Sequence, residues 1–217
     1  MSRSRSSKLL IFGFLFLALS GAALLYYYKV QTTWVESTPY VRDGADPART
    51  LVVVYSRTGN TFAAAKEVAR YFDADILQIK APQYPKTIEG NMRASSDADK
   101  EVTSIPIQHD VVDLSRYDLI VLGSPTWWFR PAPPLWSFVE NHDFSGKPVF
   151  LMMTGNSRYK EQHIDKFSRL VGEKNGNFLD MLFIQRGRIY WQKTPGEVNH
   201  EVREALENRK ALWKFRI

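Results

Sequence analysis

The chain has 217 residues, of which 44% are hydrophobic and 13% aromatic, a composition that predicts the packed core of one α/β domain with a short appendage. It contains no cysteine, which excludes disulfides, thiol catalysis and cysteine metal sites. The net charge of +6 is uneven, because residues 1–42 carry +4 and residues 43–217 only +2, too little for the concentrated basic face of a nucleic-acid binder.

The N-terminal segment is the first predicted element. Residues 9–28 contain no charged side chain, and a helix of that length is about 30 Å long, the thickness of a bilayer's hydrocarbon core. The basic N-terminus, residues 1–8, precedes this run, and the tyrosines at 26–28 end it where interfacial aromatic side chains lie. We therefore expect a transmembrane anchor that contacts the lipid bilayer through residues 9–28, a linker over 29–48 and a folded domain over 49–217.

The side of the membrane follows from the basic N-terminus. Its charges favour a cytoplasmic start, which predicts a single-pass protein of a bacterial inner membrane with its domain in the periplasm. A cleaved secretory signal is the competing interpretation, because Ala18-Leu19-Ser20 offers a cleavage site. The apolar stretch continues beyond that point, so the sequence favours an uncleaved anchor. A domain that faces the cytoplasm is the remaining alternative.

The first strand of the domain leads into a loop suited to an anion. Strand Leu51–Tyr55 precedes the hydroxyl-rich segment Ser56–Thr61, and a helix is predicted over Thr61–Tyr71. The first N–H groups of a helix lack intrahelical partners and carry the positive end of its dipole, so such a loop is suited to a phosphate. A well-capped turn without a ligand is the alternative.

The rest of the chain alternates short apolar runs with helices. Strands are expected at Asp75–Ile79, Leu119–Gly123, Pro148–Met153 and Phe178–Ile184, helices at Pro133–Glu140, Glu161–Val171 and Glu197–Trp213, and a loop with an irregular helix at 81–110. Buried strands joined by helices imply a parallel sheet with right-handed crossovers. The predicted fold class is α/β, a doubly wound three-layer sandwich with a five-stranded parallel sheet, preceded by one transmembrane helix.

In such folds, ligands bind at the carboxyl ends of the strands, where loops 56–61, 124–131 and 154–160 are expected. The second loop contains three adjacent aromatic residues, Trp127, Trp128 and Phe129. They cannot all enter the core from one short loop, so at least one is expected to be exposed or to cover a planar ligand. Aromatic side chains that only anchor the loop are the alternative.

The first two loops together resemble those of the flavodoxin-like family. Ser56–Thr61 is similar to the family's hydroxyl-rich phosphate loop, and Gly123–Trp128 is similar to its G-[ST]-P-x-W-W loop. The likeness covers about residues 50–190. It implies a flavodoxin-like fold that binds FMN non-covalently.

The resemblance also assigns parts of FMN to positions in this chain. By position, the phosphate is assigned to Ser56, Arg57, Thr58, Gly59, Asn60 and Thr61, and the isoalloxazine ring to Pro125, Thr126, Trp127, Trp128 and Phe129. The ring's pyrimidine edge or other face is assigned to the third loop, Thr154, Gly155, Asn156, Ser157, Arg158 and Tyr159. One tryptophan is expected to stack on the ring. The third loop departs from the family pattern, because it has a single glycine and a nearby cation, Arg158. Arg57 is expected either to pair with the phosphate or, slightly favoured, to point to solvent.

The function implied is redox chemistry performed by the flavin, with no catalytic side chain and no metal site. Electron-carrying members of this family are commonly acidic, and this domain is not. We therefore expect a membrane-anchored FMN protein in electron transfer or in flavin-dependent reduction of a quinone or other small acceptor, with its redox partner unidentified. The alternative is a flavin-free, membrane-associated interaction module of the same fold, which the basic and apolar residues interleaved over 206–217 suggest.

Overall fold

The computed structural model describes residues 3–187 and 191–213. The N-terminal apolar run forms one long helix, α1 (Arg3–Thr32). Over Ser7–Thr32 this helix is long and apolar enough to cross a membrane, and its apolar part is not buried against the rest of the protein. An N-terminal helix of this kind fits both an anchor and a signal sequence. It continues through Thr32, into the segment predicted as a linker.

Five parallel strands form the sheet. They are β1 (Thr50–Tyr55), β2 (Asp75–Ile79), β3 (Leu119–Trp127), β5 (Pro148–Gly155) and β6 (Asn177–Gln185), and a short β4 (Arg130–Pro131) pairs antiparallel with the end of β3. The spatial order is β2-β1-β3-β5-β6. The predicted α/β fold with five parallel strands is confirmed, and β4 is an addition that the sequence did not predict.

Helices cover both faces of this sheet because alternate strand residues point to opposite sides. Val52 and Val54 face α2 (Asn60–Phe72), α6 (Pro195–Asn208) and α7 (Lys210–Trp213). Leu51 and Val53 face the other layer. That layer contains α3 (Ile88–Asp99), α4 (Pro133–Glu140) and α5 (Glu161–Glu173). The result is the predicted three-layer sandwich.

Two predicted segments differ from the structure. Residues 81–110 contain a regular helix, α3, whose buried residues Gly90, Ala94 and Ala98 recur every four positions. The predicted C-terminal helix is two helices, which separate at Arg209. Val198, Val202 and Leu206 of α6 and Trp213 of α7 pack on the sheet, whereas Leu212 is exposed. Residues 214–217 of the predicted basic amphipathic pattern lie outside the described residues.

Phe150, in β5, tests how much stability the sheet core supplies. Its ring is fully buried and meets the Trp213 ring edge to face at 5.1 Å between centroids. Replacement by alanine leaves a cavity, so Phe150→Ala should lower the free energy of unfolding by about 3–5 kcal/mol. Urea unfolding of the full chain in detergent micelles, followed by tryptophan fluorescence, measures this difference.

The control is Val111→Ala, because the Val111 side chain is fully exposed. It should change the free energy of unfolding by no more than about 0.5 kcal/mol. Equal effects of the two substitutions would contradict the position of Phe150 in the core.

Candidate functional site

A cavity of about 450 Å³ lies at the carboxyl ends of β1, β3 and β5, where the three loops predicted from the sequence meet. Its lining includes almost all of the predicted site residues, namely Ser56, Arg57, Thr58, Asn60, Thr61, Pro125, Thr126, Trp127, Trp128, Phe129, Thr154, Gly155 and Asn156. Gly59 lies in the same loop but outside the lining. The structure therefore brings the three loops together around one space.

The first loop ends at a helix terminus with free amides. Gly59 is the N-cap of α2 and has a left-handed backbone with φ of +86°, and no side chain caps the helix there. A Cβ at this position would collide with the Val35 carbonyl oxygen, so glycine is required. Because the first-turn N–H groups of α2 lack a capping side chain, they are available to an anion in the cavity.

The Arg57 side chain is buried and hydrogen-bonded to neighbouring segments. Its guanidinium donates hydrogen bonds to the backbone oxygens of Gln31, Pro85 and Thr87, each at 2.9 Å, and to Asn91 Oδ1 at 3.4 Å. Only 8% of the residue is exposed, so the favoured prediction that it points to solvent is wrong. Burial lowers the pKa of this guanidinium from its ordinary value. Arg57 therefore joins the first loop to α1 and to the start of α3.

The second loop is a tight hairpin rather than an irregular loop. Strand β3 continues to Trp127, and the chain turns at Trp128 and Phe129, whose φ values are +49° and +66°. Consecutive left-handed residues match the right-handed twist of a hairpin, but they are unfavourable for bulky side chains. The Phe129 carbonyl accepts a hydrogen bond from Lys160 N at 3.0 Å. The strained turn therefore holds two aromatic residues at the edge of the cavity.

The two tryptophans have different roles. Trp127 meets the Tyr55 and Tyr84 rings edge to face, with centroids 5.6 and 5.4 Å away, so it packs against the core as well as lining the cavity. Trp128 is 49% exposed, and its Nε1 donates to Ser95 Oγ at 2.9 Å. Trp128 is thus the indole that remains accessible on the cavity rim.

The third loop is linked directly to the other two. Thr154 Oγ1 lies 2.9 Å from Thr61 Oγ1 in the first loop. A Cβ at Gly155 would lie 3.0 Å from Thr126 Oγ1, so the single glycine of this loop permits close contact with the second. The Thr126 hydroxyl is buried and has no hydrogen-bond partner in the part of the chain that the structure describes. It is a polar atom at the cavity that a ligand can satisfy.

The cavity is electropositive. Three arginines line it, Arg57, Arg158 and Arg186, and no aspartate or glutamate is among its described lining residues. Burial also lowers the pKa of Arg186 from its ordinary value. A cavity of this charge, which also contains the positive end of α2, attracts anionic ligands.

Several lining residues were missed by sequence reasoning. They are Tyr27, Val30 and Gln31 of α1, Asn91, Ala94 and Ser95 of α3, and Arg186. For α3, the sequence carried only a weak signal, because the small residues that recur every four positions have little hydrophobicity. For α1, the sequence carried no signal, because an apolar run gives no indication that its end contacts a distant loop.

Comparison with known proteins identifies the relatives of this chain. A family model described as flavodoxin matches residues 49–195. A flavodoxin of Maridesulfovibrio salexigens is 29% identical over 119 residues, which cover 52% of this chain, and the chain spans 66% of that relative's length.

Solved structures share the fold. A flavoprotein in complex with FMN from Lactobacillus acidophilus NCFM superposes on this chain with a TM-score of 0.55 at 20% identity. The superposition covers 63% of this chain and 93% of the flavoprotein chain. A protein from Bacteroides eggerthii DSM 20697 gives a TM-score of 0.58 at 20% identity, with 75% of this chain and 98% of its own covered. The fold of this domain therefore occurs in proteins whose sequences are only 20% identical to this chain.

The position of Arg57 can be tested by substitution. Arg57→Gln removes a charged donor from three part-buried carbonyl oxygens, so it should lower the free energy of unfolding by about 1–3 kcal/mol. It should also speed proteolysis within residues 29–42, because Gln31 loses its contact. Urea unfolding and limited trypsin digestion of the full chain in micelles measure both effects.

Arg158→Gln is the matched control, since Arg158 is exposed in the third loop. It should leave stability within about 0.5 kcal/mol of the unsubstituted chain. If both variants behave alike, the hydrogen bonds of Arg57 do not hold α1 to the loop.

Proposed function

Because this chain belongs to the flavodoxin family, we propose that it binds FMN in this cavity and uses it in electron transfer or flavin-dependent reduction at a membrane. FMN is the cofactor of the family, and the similar flavoprotein from Lactobacillus acidophilus NCFM was crystallised in complex with FMN. The observation that carries the proposal is the amino end of α2, which has no side-chain cap and opens into an electropositive cavity. A cavity of about 450 Å³ also has the size of a small-molecule site.

The residues present fit the cofactor's two ends. The amides that open α2, with the hydroxyls of Ser56, Thr58 and Thr61, would hold the phosphate. The Thr126 hydroxyl and the indole of Trp128 are the groups suited to the ring, since the first needs a partner and the second is accessible. Bound FMN supplies hydride and electron transfer. The chain itself binds the phosphate, orients the ring and excludes water from one side of it, and no side chain is assigned a catalytic role.

The charge of the domain favours a small acceptor over a large basic protein. Residues 43–217 carry +2, and Arg158 and Arg186 lie at the cavity. This distribution would repel a basic protein partner and would attract an anionic or polarisable small molecule. We therefore favour reduction of a quinone or other small acceptor. The flavin-free interaction module is the weaker candidate. It gives no reason why the amino end of α2 lacks a side-chain cap or why the buried Thr126 hydroxyl lacks a partner among the described residues.

We also propose that α1 is an uncleaved anchor that places the domain outside the inner membrane of a bacterium. The support is the apolar length of Ser7–Thr32 together with the basic residues that precede it. Cleavage of the segment as a signal, or a domain that faces the cytoplasm, would each overturn this part of the proposal.

FMN binding through its phosphate predicts that the cavity distinguishes FMN from riboflavin, which lacks the phosphate. The double variant Ser56→Ala, Thr58→Ala should raise the Kd for FMN by about 100-fold or more, since each of the two lost hydrogen bonds to a charged group contributes about 1.5–3 kcal/mol. The Kd for riboflavin should stay unchanged. Titrations of the full chain in micelles, followed by flavin and tryptophan fluorescence, give both constants.

Ser104→Ala serves as the control, because this exposed serine does not line the cavity. It should bind FMN as the unsubstituted chain does. Equal affinities of the unsubstituted chain for FMN and riboflavin would exclude a phosphate site at α2.

If α1 is not cleaved, the protein in the membrane should have the mass of the whole 217-residue sequence, 25.0 kDa. In a bacterial host it should stay in the membrane fraction after alkaline extraction, and a C-terminal reporter that is active only in the periplasm should be active. The intact mass of the protein recovered from the membrane fraction shows whether the helix is cleaved, and the reporter assay shows on which side of the membrane the domain lies. A shortened soluble product would indicate a signal sequence, and activity only of a cytoplasmic reporter would reverse the orientation.

A further inference from the structure

The end of α1 is fixed to the domain by several contacts. The Arg57 guanidinium binds the Gln31 carbonyl oxygen, one of those that a helix C-terminus leaves without intrahelical partners. Val35 N donates to the Thr58 carbonyl oxygen at 2.8 Å. Asn91 Nδ2 of α3 donates to Tyr27 Oη at 3.4 Å. These contacts fix the direction in which the domain is held relative to α1.

The same end of α1 forms part of the cavity wall. The cavity is lined by Tyr27, Val30 and Gln31. These residues lie next to Tyr28, the last of the tyrosines that end the apolar run. At a rise of 1.5 Å per residue, Gln31 lies only about 4.5 Å beyond Tyr28 along the helix axis. If Tyr28 marks the membrane interface, the cavity lies directly above the lipid headgroups.

The surface beside this wall combines apolar and cationic side chains. Ile88 and Met92 lie one turn apart on α3 and are 59% and 67% exposed. Trp128 joins them, because its indole is bonded to Ser95 of the same helix. We call Ile88, Met92 and Trp128 the rim surface.

The charges around the rim surface fit the headgroups of an anionic membrane. Two exposed cations, Lys86 and Arg93, flank the rim surface. The first turn of α3 carries one acidic side chain, that of Glu89. Lys29 lies in the last turn of α1. Exposed apolar side chains bordered by cations are typical of surfaces that lie in a membrane interface.

We propose that the rim surface rests in the headgroup region of an anionic bilayer, so that the cavity opens toward the membrane and receives its second ligand, an amphipathic molecule dissolved in the lipid, from that side. The inference rests on the membrane-anchored FMN protein proposed above. It adds a fixed orientation of the domain and a route of entry. The second ligand then reaches the cavity without passing through bulk water.

Because the chain has no cysteine, single cysteines can be introduced as unique sites for spin labels. The test uses the full chain in nanodiscs that contain anionic lipid, with the variants Ile88→Cys and Met92→Cys. Val111→Cys is the control, since Val111 is fully exposed and precedes the Leu114–Arg116 turn near the amino end of β1, away from the cavity. Power-saturation EPR compares the collision of each label with oxygen, which partitions into lipid, and with a water-soluble nickel chelate.

We expect labels at 88 and 92 to show an oxygen-to-nickel accessibility ratio several-fold above that of the label at 111. Equal ratios at all three positions, or failure of the chain to enter nanodiscs, would overturn the proposal. Flavin absorbance of the same samples separates the two proposals. Labels in lipid without bound FMN would refute the cofactor and keep the surface, whereas bound FMN with all labels in water would refute the surface and keep the cofactor.

Discussion

The amino end of α2 is the constraint on which the rest of the site depends. A helix that begins inside a protein must satisfy its first N–H groups, and here Gly59 supplies no side chain to do so. The parallel sheet sets this end beside the carboxyl ends of β3 and β5, because crossovers of one hand return every strand in the same direction. The aromatic hairpin and the third loop then close the remaining sides. The cavity and its positive charge both follow from this arrangement.

Arg57 makes the N-terminal helix part of the same structure. In a hydroxyl-rich loop, a cation is the obvious candidate for a direct phosphate contact, yet the two terminal nitrogens of Arg57 donate to carbonyl oxygens at the end of α1 and before α3. Its charge still lies in the cavity wall. Removing this guanidinium would take a charged donor from each of those carbonyl oxygens. The cavity wall and the end of α1 are therefore built on shared residues.

Much of this fold was predictable, because short buried strands and the loops after them are local properties of the sequence. The bounds of β2 were predicted to the residue, and the three loops were placed at one cavity. The misses have non-local causes. Helix α3 is packed through small residues, which carry little hydrophobic signal, and the hairpin at Trp128 requires backbone angles that bulky residues adopt only under tertiary constraint. The partners of Arg57 lie 26 to 34 residues away in the chain, so no local pattern reports them.

Backbone amide resonances of α2 test the central claim most directly. In a ¹⁵N-labelled sample of the full chain in micelles, addition of FMN should shift the N–H signals of Asn60, Thr61 and Phe62 downfield, because each would gain a charged acceptor. Riboflavin should leave these three signals nearly in place while it shifts those of the hairpin at Trp128. If FMN binds and the amides of 60–62 do not respond, the phosphate is held elsewhere and the account of this site is wrong.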